Sequence, residues 1–158
     1  MKKIAIVGAG IFGCTIALRL ATKGHRCILY EKNNHIMSCA SRVNQYRLHK
    51  GYHYPRSDKT IDQLLNSYPK FINEYSDAIE RNYEHYYALA REKSLVNRDH
   101  YLNFLNKHSL NFEIVDSHPN LKEEKFSLII KADEHLINYS KLKGICLLYT
   151  SDAADELT

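Results

Sequence analysis

Residues 4–7 form a continuous apolar run, the pattern of a strand buried on both faces. A turn with three glycines follows at residues 8–13. Residues 11–23 then place Phe12, Ile16 and Leu20 on one side of a helix, with Ala17 and Ala21 beside them. Gly24 supplies a C-cap, and residues 27–30 are a second apolar run ending at Glu31. Strand, helix and strand at this spacing make one βαβ unit. Residues 32–57 show no period. They are polar, with His and Tyr interleaved, and are expected to form a long functional loop. Helical spacing returns at Ile61, Leu64, Leu65, Tyr68 and Ile72. It predicts a helix capped by Ser57 or Asp58 and running to residue 79, kinked or interrupted at Pro69. Residues 83–90 predict a strand from their aromatic content. Asn97 is placed to cap a short helix carrying Tyr101, Phe104, Leu105 and His108. Residues 112–115 and 126–131 predict two more strands, the second alternating Phe126, Leu128 and Ile130 against Ser127 and Lys131.

The 158 residues are 44% apolar and 25% charged, which is the composition of an ordinary globular protein. A net charge of +4 is spread without a basic run, so no nucleic-acid partner is expected. Cys14, Cys27, Cys39 and Cys146 form no C-x-x-C pair and match no zinc spacing, so no metal is expected. Their apolar surroundings fit buried thiols in a reducing compartment. The lysines and apolar run at the start imitate a signal peptide. Three glycines break that run and no cleavage site closes it. No stretch approaches the ~20 apolar residues of a membrane span, so an integral membrane segment is not expected and a cytoplasmic location is.

The end of the chain, CLLYTSDAADELT, has a different character. Residues 146–156 match the translation of a common transposase sequencing adapter over eleven consecutive residues. Residues 146–158 are therefore expected to be artefact and are set aside from fold reasoning. The natural chain is expected to be cut near residue 145. Deleting residues 146–158 is expected to change nothing.

The chemistry lies in VGAGIFGCTIALRLATKGHRCILYE. Gly8 permits the turn out of the strand, Gly10 lets backbone amides approach a pyrophosphate, and Gly13 lets the helix pack closely on the strand. Phosphates then sit at the helix N-terminus, where free N–H groups and the helix dipole favour negative charge. Glu31 ends the second strand, 18 residues after Gly13, where its carboxylate accepts ribose hydroxyls and disfavours a 2′-phosphate. Ala17 and Gly24 extend the pattern to G-x-G-x-x-G-x-x-x-A-x-x-x-x-x-x-G.

With these residues the chain resembles FAD-dependent oxidoreductases of the D-amino-acid oxidase and glycine oxidase type. The first matching stretch runs over residues 3–33, and a second begins near Ser38 in SCASRVNQYRLHKGYHYPRS. The resemblance implies an α/β protein: a Rossmann-like FAD-binding βαβ unit followed by part of an α+β substrate domain, truncated. The expected divisions are residues 1–57 for FAD binding, 58–145 for a partial substrate or cap domain, and 146–158 for the tail. FAD is the implied cofactor. Gly8, Ala9, Gly10, Ile11, Phe12, Gly13, Glu31 and Lys32 are its expected first contacts. By resemblance Ala40, Ser41 and Arg42 touch the phosphates and flavin ribose. Asn44, Gln45, Arg47, Leu48 and His49 approach the isoalloxazine ring. The loop departs from typical amino-acid oxidases, whose version is richer in glycine, and the substrate arginine and second FAD motif of that family lie beyond this chain. Arg42, Arg47 and Arg56 offer planar forks for phosphate or carboxylate. His49 and His53 are placed to donate near the flavin or the substrate. The implied activity is oxidation of a C–N or C–O bond of a small molecule by hydride transfer to flavin, with no catalytic residue assigned. Two alternatives stand beside it. One is a flavin-dependent sugar mutase-like enzyme of cell-surface saccharide synthesis, since UDP-galactopyranose mutases share a similar opening and a His-rich loop. The other is a non-functional gene fragment.

Overall fold

The computed structural model describes residues 1–155, with side chains to residue 147. In chain order the elements are β1 (Lys3–Val7), α1 (Ile11–Ala21), β2 (Arg26–Tyr30), β3 (Arg47–Leu48), α2 (Asp58–Glu74), β4 (Ile79–Glu80), β5 (His85–Ala90), α3 (Arg98–Lys107), β6 (Phe112–Ile114), β7 (Phe126–Ala132), β8 (His135–Ile137) and α4 (Tyr139–Asp155). They fall into two compact units: residues 1–46 with 137–158, and residues 47–136. The boundary expected at residue 57 therefore falls inside the second unit. Among the described residues no helix is long and apolar enough to cross a membrane.

The first unit is built on the βαβ element. β1 and β2 pair in parallel, from Lys3 opposite Arg26 to Val7 opposite Tyr30. α1 buries Cys14 and Ala17. Both strands alternate in exposure along their length. Ile4, Ile6, Cys27 and Leu29 are half-buried, while Val7, Ile28 and Tyr30 are exposed. The expectation of strands buried on both faces is corrected here, because among the described residues nothing covers one face of these two strands. α4 packs on α1 with the Cys146 thiol against Cys14, and Leu142, one turn before Cys146, is buried as well. A deletion starting at Cys146 would remove a fully buried side chain. Of the tail, residues 156–158 lie outside the described residues.

The second unit holds an antiparallel sheet, β5-β7-β6, and a three-stranded sheet of order β3-β8-β4 in which β3 and β8 are antiparallel. β7 is the central strand of the first, pairing His85 with Ala132 and Phe112 with Ala132 on its two sides. Leu128 and Ile130 join Tyr52, Ile61, Tyr101, Phe104 and Leu105 in the core. Tyr101, Phe104 and Leu105 share one face of α3 at helical spacing. The Asn97 side chain accepts the His100 N–H at 2.8 Å and caps that helix as expected. α2 runs through Pro69 without a break but ends at Glu74, not residue 79. A 3-10 turn at Ser76–Ala78 and the short β4 take up the remaining residues.

Candidate functional site

The turn between β1 and α1 is closed by backbone geometry. Gly8 has φ +95°, a conformation that side chains rarely adopt. Its N–H donates to the Tyr30 carbonyl at 2.7 Å, tying the turn to the end of β2. A Cβ on Gly13 would stand 1.9 Å from the Gly8 carbonyl oxygen, so only glycine lets α1 approach this closely. A Cβ on Gly10 would meet open space, with Ser41 Oγ the nearest atom at 3.9 Å. That space is a cleft of about 520 Å³ at the N-terminus of α1.

The loop after β2 is pinned to this turn. Met37, buried and with φ 57°, donates its N–H to the Ala9 carbonyl at 2.8 Å. Its own carbonyl accepts the Tyr139 hydroxyl at 3.0 Å. This anchor carries Ser38–Ser41 past the helix N-terminus, where the Ile11 N–H donates to Ser41 Oγ at 3.3 Å. Ser38 Oγ, on the cleft wall, is buried without a hydrogen-bond partner. Helix N–H groups, an unfilled hydroxyl and a floor without side chain suit an anion.

Glu31 closes the far side. Its Oε2 accepts the Ala9 N–H at 2.9 Å, and its Oε1 accepts the Asn33 backbone N–H at 2.9 Å and side-chain amide at 2.8 Å. The Asn33 backbone N–H first, and the Ala9 N–H after it, hold this carboxyl below its ordinary value. A depressed folded value contributes stability that is complete above the unfolded value of about 4.3 and disappears as pH falls through the folded one. Unfolding midpoints measured against pH should therefore show a shallower acid limb in Glu31→Gln than in the wild type. Identical limbs would mean that the carboxylate does not hold the turn.

Of the residues expected at the cofactor, Gly8, Gly10, Ile11, Phe12, Gly13, Glu31, Ala40, Ser41 and Asn44 line the cleft. Ala9 lies buried beneath it, with its N–H taken by Glu31 and its carbonyl by Met37. Lys32, Arg42 and Gln45 are exposed and do not line it. The cleft also uses Ile6, Val7, Ile16, Ser38 and Cys39, which the motif did not single out. Their signal was position alone, next to the glycine turn or to Ala40.

Arg47, Leu48 and His49 belong to the second unit, where Arg47 meets a buried carboxylate. Glu134 Oε2 accepts Arg47 Nη2 at 2.9 Å and the Tyr87 hydroxyl at 2.8 Å, while Oε1 accepts the Lys50 N–H at 2.8 Å. His49 Nδ1 stands 3.8 Å from Oε1, too far for a hydrogen bond. Burial pushes the Glu134 carboxyl up. His49, the Lys50 N–H, Tyr87 and the Arg47 charge together outweigh it and leave the carboxyl below its ordinary range. Burial raises the Tyr52 hydroxyl to about 12. Glu134 was missed because a lone glutamate after a strand carries no spacing signal.

Comparison with known proteins matches residues 3–129 to the DAO family of FAD-dependent oxidoreductases. The chain is 37% identical over 95 residues to the FAD-dependent monooxygenase kojA of Aspergillus flavus, covering 60% of this chain and 22% of that protein. It is 31% identical over 87 residues to a 4,4′-diapophytoene desaturase of Staphylococcus aureus strain COL, covering 55% of this chain and 16% of that protein. Its fold matches glycine oxidase from Geobacillus kaustophilus with a TM-score of 0.75 at 17% identity, over 94% of this chain and 44% of that one. The chain thus spans less than half the length of these relatives. With the family match covering most of its length, the chain belongs to the DAO family of FAD-dependent oxidoreductases.

Proposed function

We propose that the full-length protein oxidises a C–N or C–O bond of a small molecule, using FAD held in the cleft at the N-terminus of α1. The observation that carries this reading is the open floor at Gly10 beneath the helix N-terminus, bounded by Ser41 and Glu31. In this reading the amide N–H groups from Gly10 onward face the pyrophosphate, and Ser38 and Ser41 offer hydroxyl donors to it. Ser41 does so while its oxygen still accepts the Ile11 N–H. Each Glu31 oxygen keeps acceptor capacity for a ribose hydroxyl beside the N–H groups it already accepts. Arg42, Arg47 and His49 are assigned to the phosphate and flavin side by sequence resemblance alone. When bound, FAD supplies the hydride acceptor at its N5.

The purified full-length protein is expected to be yellow and to release FAD on denaturation. Gly10→Val is expected to be colourless yet folded, since its side chain enters the ligand space and meets little protein. A colourless wild type that binds NADH in titration would overturn the reading. A substrate turned over with no net oxidation, as a rearranged sugar, would place the activity with the mutases.

A further inference from the structure

We propose that Glu134 is a positioning residue for Arg47, one of the side chains that the sequence resemblance assigns to the flavin. The inference rests on that assignment and deepens it. The backbone explains the meeting of residues 87 apart in sequence. Leu48 in β3 pairs with His135 in β8, so the residue just before β8 comes to lie beside the segment after β3. Glu134 fills that place, and its side chain has no exposure at all.

Each donor fixes a different part of the segment. The Lys50 N–H fixes backbone, Arg47 Nη2 fixes the guanidinium, and Tyr87 braces the carboxylate from β5. The Arg47 guanidinium also lies 4.5 Å over the Tyr87 ring, which stacks on Tyr52 at 5.6 Å. Arg47 is thus held in its plane by one partner and on its face by another. Among the described residues Arg47 Nε is left buried without a hydrogen-bond partner, and buried unpaired polar groups are rare in folded proteins. A buried ion pair is weak evidence for stability, because desolvation offsets its attraction. Fixing the direction of the Arg47 guanidinium is the role that the geometry supports.

The test uses the full-length holoprotein. FAD content, flavin absorbance and midpoint potential are measured for Arg47→Ala, His49→Ala, Glu134→Gln and the Arg47→Ala/Glu134→Gln double variant. Arg47→Ala is expected to lower the potential, because a nearby cation favours reduced flavin. Glu134→Gln is expected to lower it too, although it removes a negative charge, and to add nothing in the Arg47→Ala background. If Glu134→Gln does not fold, Tyr87→Phe removes one brace and is expected to give a smaller shift in the same direction. A rise in potential on Glu134→Gln, no change, or full additivity overturns the positioning role. Should Arg47→Ala and His49→Ala leave spectrum and potential unchanged, the flavin assignment of this segment fails and the inference falls with it. Should they shift while Glu134→Gln and Tyr87→Phe do not, the inference alone fails.

Discussion

Gly13→Ala in the full-length protein is expected to abolish retention of FAD, with affinity down by about 100-fold or more. The added Cβ would lie 1.9 Å from the Gly8 carbonyl oxygen and 3.1 Å from its carbon. Both are backbone atoms, so no flexible side chain can move aside. Either α1 shifts away from β1 or the turn opens. Overpacking of a close-packed contact costs ~1–3 kcal/mol or more, and a rigid backbone contact lies at the upper end. If that cost falls on the ligand-competent turn, ~3 kcal/mol is about two decades of affinity. The neighbouring glycines make internal controls. Gly8→Ala meets no atom within 4 Å but strains a φ of +95°, while Gly10→Ala has neither problem. Stability should therefore fall most at Gly13, less at Gly8 and least at Gly10, whereas FAD affinity should suffer at all three. Dissociation constants and melting temperatures measured side by side separate the two effects. Gly13→Ala with wild-type FAD content would show that close helix–strand packing does not set the cleft.

That ordering also shows what was legible beforehand. The three glycines, the helix between the strands and Glu31 are all local, and each backbone requirement leaves a residue type at a fixed offset. The first unit could be read for that reason, as could the Asn97 cap and the central strand at residues 126–131. Glu31 was read for its ribose contact, but its hold on the Ala9 N–H was not foreseen. Both roles use the same carboxylate, and only the second is visible in the folded chain.

What stayed hidden depends on distant pairing. Residues 32–57 are without period because their backbone is held by scattered partners. Ala9 holds Met37, and Glu134 holds Lys50. Ile79 keeps the helical apolar spacing, but it pairs in a sheet, and α2 ends at Glu74. The loop looks continuous to residue 57, which sets the expected boundary there. The chain enters the second unit at Arg47, where two residues pair with β8. Cys146 stands in a stretch that matches an adapter, and it is buried on the face of α4 that it shares with Leu142.

Gly51→Val is expected to produce the largest loss of stability in the second unit, about 2–6 kcal/mol. Gly51 has φ +122°, a region closed to β-branched residues. Such backbone strain costs ~1–3 kcal/mol. Its Cβ position also lies 3.2 Å from both Ile61 Cγ1 and Cγ2, and Ile61 is fully buried in the core. Pressing against it adds a further ~1–3 kcal/mol. The sum is large beside the ~5–15 kcal/mol that holds most domains together. The position matters because Gly51 turns the chain between two anchors. On one side the Lys50 N–H reaches Glu134 at 2.8 Å. On the other, Tyr52 is buried, its hydroxyl donating to the Asn111 carbonyl and its own carbonyl accepting the Tyr101 hydroxyl at 2.8 Å. A forced change of φ at residue 51 pulls on both. In the full-length protein, amide exchange at residues 50–54 and at β7 should accelerate together, and the melting transition of this unit should drop by several degrees. Gly51→Ala, with less bulk at the same φ, should fall between wild type and valine. A valine variant with unchanged exchange and melting would mean that the turn at residue 51 rearranges without cost, and that Glu134 and Tyr52 do not fix it.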